Sequence, residues 1–218
     1  MKRVIEPKVL YFGTPVILVS SLNGDGSTNL APMSSAWWLG DSAMLGLSAN
    51  SQTVRNLERH PDCVLNLTDK SLVAAVDRIA LLTGRRDVPA YKEERGYRYE
   101  ADKFAAAGLT SIPCDLVTPQ AVAESPIHLE GRVRAIHQID AADSMLRALE
   151  VTILRTHVDP ELVMAHKEHY IDPLRWDPLI MKFTEYFAGG TVAQPSSLAR
   201  GWGMPPLPPE ALQGERAS

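Results

Sequence analysis

The chain has 218 residues, of which 45% are apolar and 22% charged, and its formal net charge is −4. This is the balance of one folded globular domain, and it excludes both a disordered chain and a surface built as a whole to bind nucleic acid. Cys63 and Cys114 are the only cysteines, too few for a disulfide framework, so a reducing cytoplasm is the simpler expectation.

The opening residues, MKRVIEPKVLYF, hold two early cations and no apolar run of signal length. No stretch reaches the ~18 uninterrupted apolar residues that cross a bilayer, so neither a membrane nor nucleic acid is an expected partner. Residues 15–22, PVILVSSL, are aliphatic and β-branched and run into Asn23-Gly24-Asp25-Gly26. That pattern predicts a strand entering a hairpin, since both glycines accept positive φ at little cost. Residues 28–38 read as the returning strand and 43–49 as a third. Short strands joined by tight turns favour an antiparallel meander or barrel over a βαβ sheet.

Thr53 is placed to N-cap a short helix over residues 54–60, which Pro61 stops. CVLNL, residues 63–67, is the next strand. In KSLVAAVDRIALLT, residues 70–83, apolar side chains fall at 72, 73, 76, 79 and 80. This is the spacing of an amphipathic helix, with Gly84 as its stop. Residues 85–102 are charged and tyrosine-bearing and read as an excursion over the surface. DKFAAAG, residues 102–108, predicts one or two helical turns ending at glycine. Strands follow at 127–139 and 151–158, with a partly helical segment between them, and DPELV adds a turn of helix. Pro195 and PPLPP, residues 205–209, cannot pair inside a sheet. The expected organisation is one domain over residues 1–195 and a proline-rich tail over 196–218.

The residues with chemical promise lie in LSANSQTVRN, residues 47–56. A strand ends, small polar residues follow, and a helix begins. Backbone N–H groups at a helix start, with hydroxyls and Arg55 beside them, form a site for a phosphate. The plainer alternative is an N-capped surface helix with Arg55 in solvent. NLAPMSSAWW, residues 29–38, strengthens the first reading. If the two strands are neighbours, Ser34 and Ser35 lie beside Ser48, Ala49 and Asn50, where small side chains let a flat ring approach the backbone. A planar ring at one end and a phosphate at the other is the outline of FMN.

These segments resemble the flavin reductase-like, FMN-binding split-barrel proteins, the flavoredoxin-like proteins among them. The likeness lies in PVILVSSLNGDGSTNLAPMSSAWW, LGLSANSQTVRNL, DKFAAAGLT and SPIHLEGRV, in that order, and covers roughly residues 11–190. The resemblance implies a mainly β fold with α, a Greek-key split β-barrel with peripheral helices. It also implies a homodimer with one FMN in each of two interface clefts. Met33, Ser34, Ser35 and Ala36 are then expected to line the flavin. Ser48, Ala49, Asn50 and Ser51 face its ring and ribityl chain, and Thr53, Arg55 and Asn56 hold the phosphate. Lys103 and Phe104 match a segment that approaches the pocket in that family. Trp37 either stacks on the ring, shapes the substrate pocket or fills a core or subunit contact, and Trp38 reads as core. Alternation along the strand lets at most one of the two reach the flavin.

The activity implied is that of an NAD(P)H:flavin reductase, with NADH or NADPH as donor and a partner monooxygenase or another acceptor downstream. Hydride transfer needs stacking distance rather than a side-chain acid or base, so no catalytic residue is assigned. The family's Gly-Asp-His-like nicotinamide stretch has no counterpart in QIDAADSMLRALEVTIL, residues 138–154. Three alternatives therefore stay open: a flavoredoxin-like electron carrier, an FMN-dependent enzyme acting on a specific small-molecule substrate, and a non-redox ligand-binding module. His166 and His169 have neither HExxH spacing nor a third ligand and read as surface residues. His60 sits at a helix end, and His128, His137 and His157 read as structural strand histidines. No metal is expected.

Overall fold

The computed structural model describes residues 2–140 and 145–208. Its centre is a seven-stranded antiparallel sheet. The strands are β1 (Ile17–Leu22), β2 (Thr28–Met33), β3 (Ala36–Leu39), β4 (Ser42–Ser48), β5 (Asp62–Leu67), β6 (Ile127–Ile139) and β7 (Leu146–Val158). They lie in the order β2-β1-β5-β6-β7-β4-β3. The two edge strands, β2 and β3, are consecutive in the chain and joined only by Ser34 and Ser35. In a flat sheet six strand spacings would hold these edges about 28 Å apart. The three Cα steps from Met33 to Ala36 span at most about 11 Å. The sheet must therefore roll until its edges meet, and because β2 pairs with β1 while β3 pairs with β4, the barrel stays split between them. Residues 28–38 are thus two strands, not the single returning strand expected, and the Ser-Ser break is where the chain crosses from one side of the split to the other.

The apolar opening of β1, Ile17–Val19, follows from its position in a strand whose residues Ile17–Ser21 are all buried. Ile17 and Val19 face the barrel interior with Leu45, Leu65, Leu149 and Val151. Leu18 faces the opposite way, into a second core with Leu30, Val76, Ile79 and Phe104. A strand covered on both faces loses the polar alternation of a half-exposed one. The turn after it behaves as its residues dictate. Gly26 takes φ +87, and Asp25 Oδ1 accepts from the Ser27 amide at 3.0 Å. Gly26, and not both glycines, uses the left-handed region.

The second core is roofed by α2 (Val73–Arg78), reached through the 3₁₀ turn Lys70–Leu72, and by α3 (Lys103–Ala107). The helix expected over 70–83 is therefore shorter than its periodicity suggests. The chain leaves helical geometry at Ile79 (φ −108, ψ 4), and Leu82–Thr83 pairs with Arg98–Tyr99 as a short parallel ladder. Ile79 and Leu82 still reach the core, because burial selects their positions whether or not the backbone stays helical. α3 ends as expected, with Gly108 at φ +66.

The segment read as partly helical is the hairpin between β6 and β7, each 13 residues long. Its alanines suggested helix, yet Leu146, Arg147 and Ala148 pair with Ser48, Leu47 and Gly46, and sheet partners outweigh weak propensity. Residues 141–144 lie outside the described residues, as do 209–218 of the expected tail. The described part of that tail forms one helical turn, Ser197–Gly201. Among the described residues no helix is long and apolar enough to cross a membrane.

Candidate functional site

β4 delivers the chain to Ser48, a turn over Ala49 and Asn50 follows, and α1 (Gln52–Arg59) begins. The cap is Ser51, whose Oγ accepts from the Val54 amide at 3.1 Å. Thr53, expected to cap, is the second helical residue and 2% exposed. It turns toward the β1–β2 hairpin, where Asn29 Nδ2 lies 3.5 Å from its hydroxyl. With Ser51 at the cap, the amides of Gln52 and Thr53 have no intrahelical acceptor. They mark the electropositive end of the helix.

Two arginines converge there. Arg55 is a surface residue of α1, 3.9 Å from Asp87 Oδ1. Arg85 follows Gly84 and was not singled out from the sequence. Its Nη1 donates to the Asn50 carbonyl at 3.3 Å and its Nη2 to Asp87 Oδ2 at 2.5 Å. Its Nε is buried and has no hydrogen-bond partner. Asp87 is held far below the ordinary carboxylate range, at about 2, first by the Arg85 hydrogen bond. Gly84 lets this loop close onto the helix start. A Cβ at that position would sit 2.5 Å from Asn29 Oδ1 and 3.2 Å from Gln52 Cγ. The signal for the pair was legible only as Gly-Arg-Arg-Asp, a run that any solvated loop can carry.

The other half of the site is a close approach of backbones. Ser35 O accepts from the Gly46 amide at 2.7 Å. A Cβ on Gly46 would lie 3.1 Å from that of Ser35. Ser35 thus meets β4 at Gly46, two residues ahead of Ser48. Met33 is half-buried against the barrel core. Ala36 points into the barrel core and is 3% exposed. Trp37 and Trp38 take opposite faces. Trp37 is 56% exposed, while Trp38 packs on the barrel core.

Three expected residues are occupied elsewhere. Asn56 is fully buried. Its Nδ2 donates to Ser21 Oγ at 3.1 Å and to Asn23 Oδ1 at 2.9 Å, and its Oδ1 accepts from Gln52 and Arg59. That side chain clamps α1 to the hairpin and has no capacity left for a phosphate. Phe104 belongs to the second core. Lys103 lies beneath β2, 3% exposed, with Nζ donating to the Leu30 carbonyl at 2.8 Å.

Burial, and then the nearby Lys92 charge, pull the Lys103 amine down from 10.5 to about 8. A depression of that size costs on the order of 3 kcal/mol at neutral pH. The folded state binds fewer protons than the unfolded one between these values, so stability rises with pH through that window. Lys103→Met is expected to raise the unfolding free energy near pH 7, by about 1–2 kcal/mol once the lost hydrogen bond is counted. The difference should fade as pH climbs from about 8 to 10.5. Urea unfolding across that range checks it, and a pH-independent difference counts against a buried ammonium.

A second polar cluster ties the end of β7 to the start of β6. His157 stacks on His128 with ring centroids 4.3 Å apart, and its Nε2 lies 2.6 Å from Glu130 Oε1. Glu130 is fully buried and also accepts from the amides of Asp115, Leu116 and Val117. Ligand atoms of Asp115, Glu130 and His157 lie within 4.8 Å of one another. The carboxylate is already satisfied by these internal donors, and the arrangement is that of a structural clasp. His166 and His169 are exposed, as expected of surface residues.

The sequence matches the flavin reductase like domain over residues 9–175. It is 37% identical over 188 residues to the uncharacterized protein YdfE of Bacillus subtilis (strain 168), covering 86% of this chain and 89% of that protein. Flavoredoxin of Desulfovibrio vulgaris (Miyazaki F) superposes with a TM-score of 0.72 at 22% identity, over 92% of this chain and all of that one. Nitrilotriacetate monooxygenase component B from Bacillus cereus superposes at 0.68 and 19% identity, over 84% and 87%. The two structures share this fold. The chain belongs to the flavin reductase-like family and is a flavin-related oxidoreductase on a split β-barrel.

Proposed function

We propose that the chain binds FMN between the Ser34–Ser35 crossing and the start of α1, and acts as an NAD(P)H:flavin reductase. The observation that carries this reading is the convergence of Arg55 and Arg85 at a helix N-terminus, with the buried Arg85 Nε lacking an acceptor. Two guanidinium groups beside free helix amides suit one terminal phosphate. That favours FMN over a dinucleotide, whose phosphates are bridged onward to a second nucleoside. Ser48, Ala49, Asn50 and Ser51 then run along the ribityl chain, while Met33, Ser34, Ser35 and the Ala36 backbone lie along the ring, with exposed Trp37 at its margin. When bound, FMN supplies hydride-accepting chemistry. The protein holds the phosphate, sets the ring against the crossing backbone and keeps bulky side chains out of the gap at Gly46.

Trp37 and Leu39 are left exposed on the outer face of β3, and they support a homodimer that buries them. NADH or NADPH is the proposed donor. A flavoredoxin-like carrier is the second reading, favoured by one observation: QIDAADSM at the β6–β7 hairpin carries no histidine. A partner monooxygenase is the proposed acceptor in the first reading, by analogy with the component B protein above. Protein purified without added flavin and released for mass spectrometry should yield FMN. A colourless preparation that gains no flavin absorbance on mixing with FMN would overturn the proposal. Steady-state oxidation of NADH or NADPH by the loaded protein with free flavin separates reductase from carrier.

A further inference from the structure

Arg55 and Arg85 reach the same carboxylate, 3.9 Å and 2.5 Å from its two oxygens. The three partners are unequally fixed. Arg85 has a side chain only 14% exposed and is anchored on the Asn50 carbonyl, whereas the Asp87 side chain is 69% exposed. The cation is thus built in and the anion is free to swing into water. Building on the FMN reading above, we propose that Asp87 is an internal stand-in for the cofactor phosphate, which the phosphate displaces on binding.

The charges favour displacement. With Asp87 in place the trio carries a net +1, and a phosphate monoester of about −1.5 to −2 meets a carboxylate in its own subsite. With Asp87 withdrawn, two guanidinium groups face that charge, and the orphaned Arg85 Nε gains an acceptor. Asp87 therefore lowers phosphate affinity without blocking the site. It keeps FMN exchangeable, as a protein that hands reduced flavin to a separate acceptor requires. The opposite role is equally concrete: a positioning carboxylate that holds both arginines for a phosphate bound alongside would strengthen binding.

The sign of one substitution decides between them. FMN and riboflavin are titrated, by quenching of flavin fluorescence, into the full-length wild-type protein and Asp87→Asn, with release rates from stopped-flow dilution. Competition predicts that Asp87→Asn tightens FMN about tenfold, mainly through slower release, and leaves riboflavin unchanged. Asp87→Ala should do the same, and matching thermal melts show that both variants fold. FMN affinity that is unchanged or weaker in both variants, with wild-type binding intact, overturns the stand-in and leaves the FMN reading standing. If no protein binds FMN more tightly than riboflavin, the phosphate subsite itself is wrong and both fall.

Discussion

Arg85→Ala is expected to weaken FMN binding by about 1.5–3 kcal/mol, or about 10- to 150-fold in Kd, the range of a hydrogen bond to a charged group. Riboflavin should bind the variant as it binds the wild type. The guanidinium is held by the Asn50 carbonyl, in the turn that starts α1, so its position is set by the same backbone that presents the free amides. Arg55→Ala is expected to cost less, because that side chain is 44% exposed and its charge is screened. Isothermal titration with both flavins checks the order. Equal losses for FMN and riboflavin would mean that Arg85 shapes the pocket and does not contact a phosphate.

Glu130→Ala is expected to destabilise the fold by about 3–5 kcal/mol, the cost of breaking a buried charged network. Three backbone amides at 115–117 and His157 all point at this carboxylate, and truncation removes the acceptor they share, leaving the buried Val117 amide without one. Glu130→Gln keeps one acceptor oxygen and should cost less. Burial alone would push the carboxyl up. The hydrogen bonds from His157 and from the Leu116 and Asp115 amides outweigh it, and the group titrates below the ordinary glutamate range. Its stabilising contribution is therefore present at neutral pH and lost as pH falls through the acid range. The variant should show a shallower acid-side decline than the wild type. Urea unfolding at neutral and acid pH measures both effects, and a loss under ~1 kcal/mol would remove the carboxylate from the clasp.

The parts of this protein that sequence alone determined are those governed by neighbours in the chain. The buried run Ile17–Ser21, the turn at Asp25 and Gly26, the β6 limits at Ile127 and Ile139, and the glycine stop at Gly108 all follow from local pattern and backbone conformation. The helix start after Ser48 was legible for the same reason, although the cap is Ser51 and not the expected Thr53. Contacts between distant residues decided the rest. Asn56 looked like a phosphate ligand until the hairpin at Ser21 and Asn23 took its amide. Residues 70–83 kept their helical spacing while Leu82 left the helix to pair near Arg98. Arg85 and Asp87 gained their place only because Gly84 lets a surface loop close onto Asn29 and Gln52. Caps and periodicity act within a few residues, whereas the partner of a buried polar group is chosen by long-range strand register and loop closure, and no local pattern records that choice.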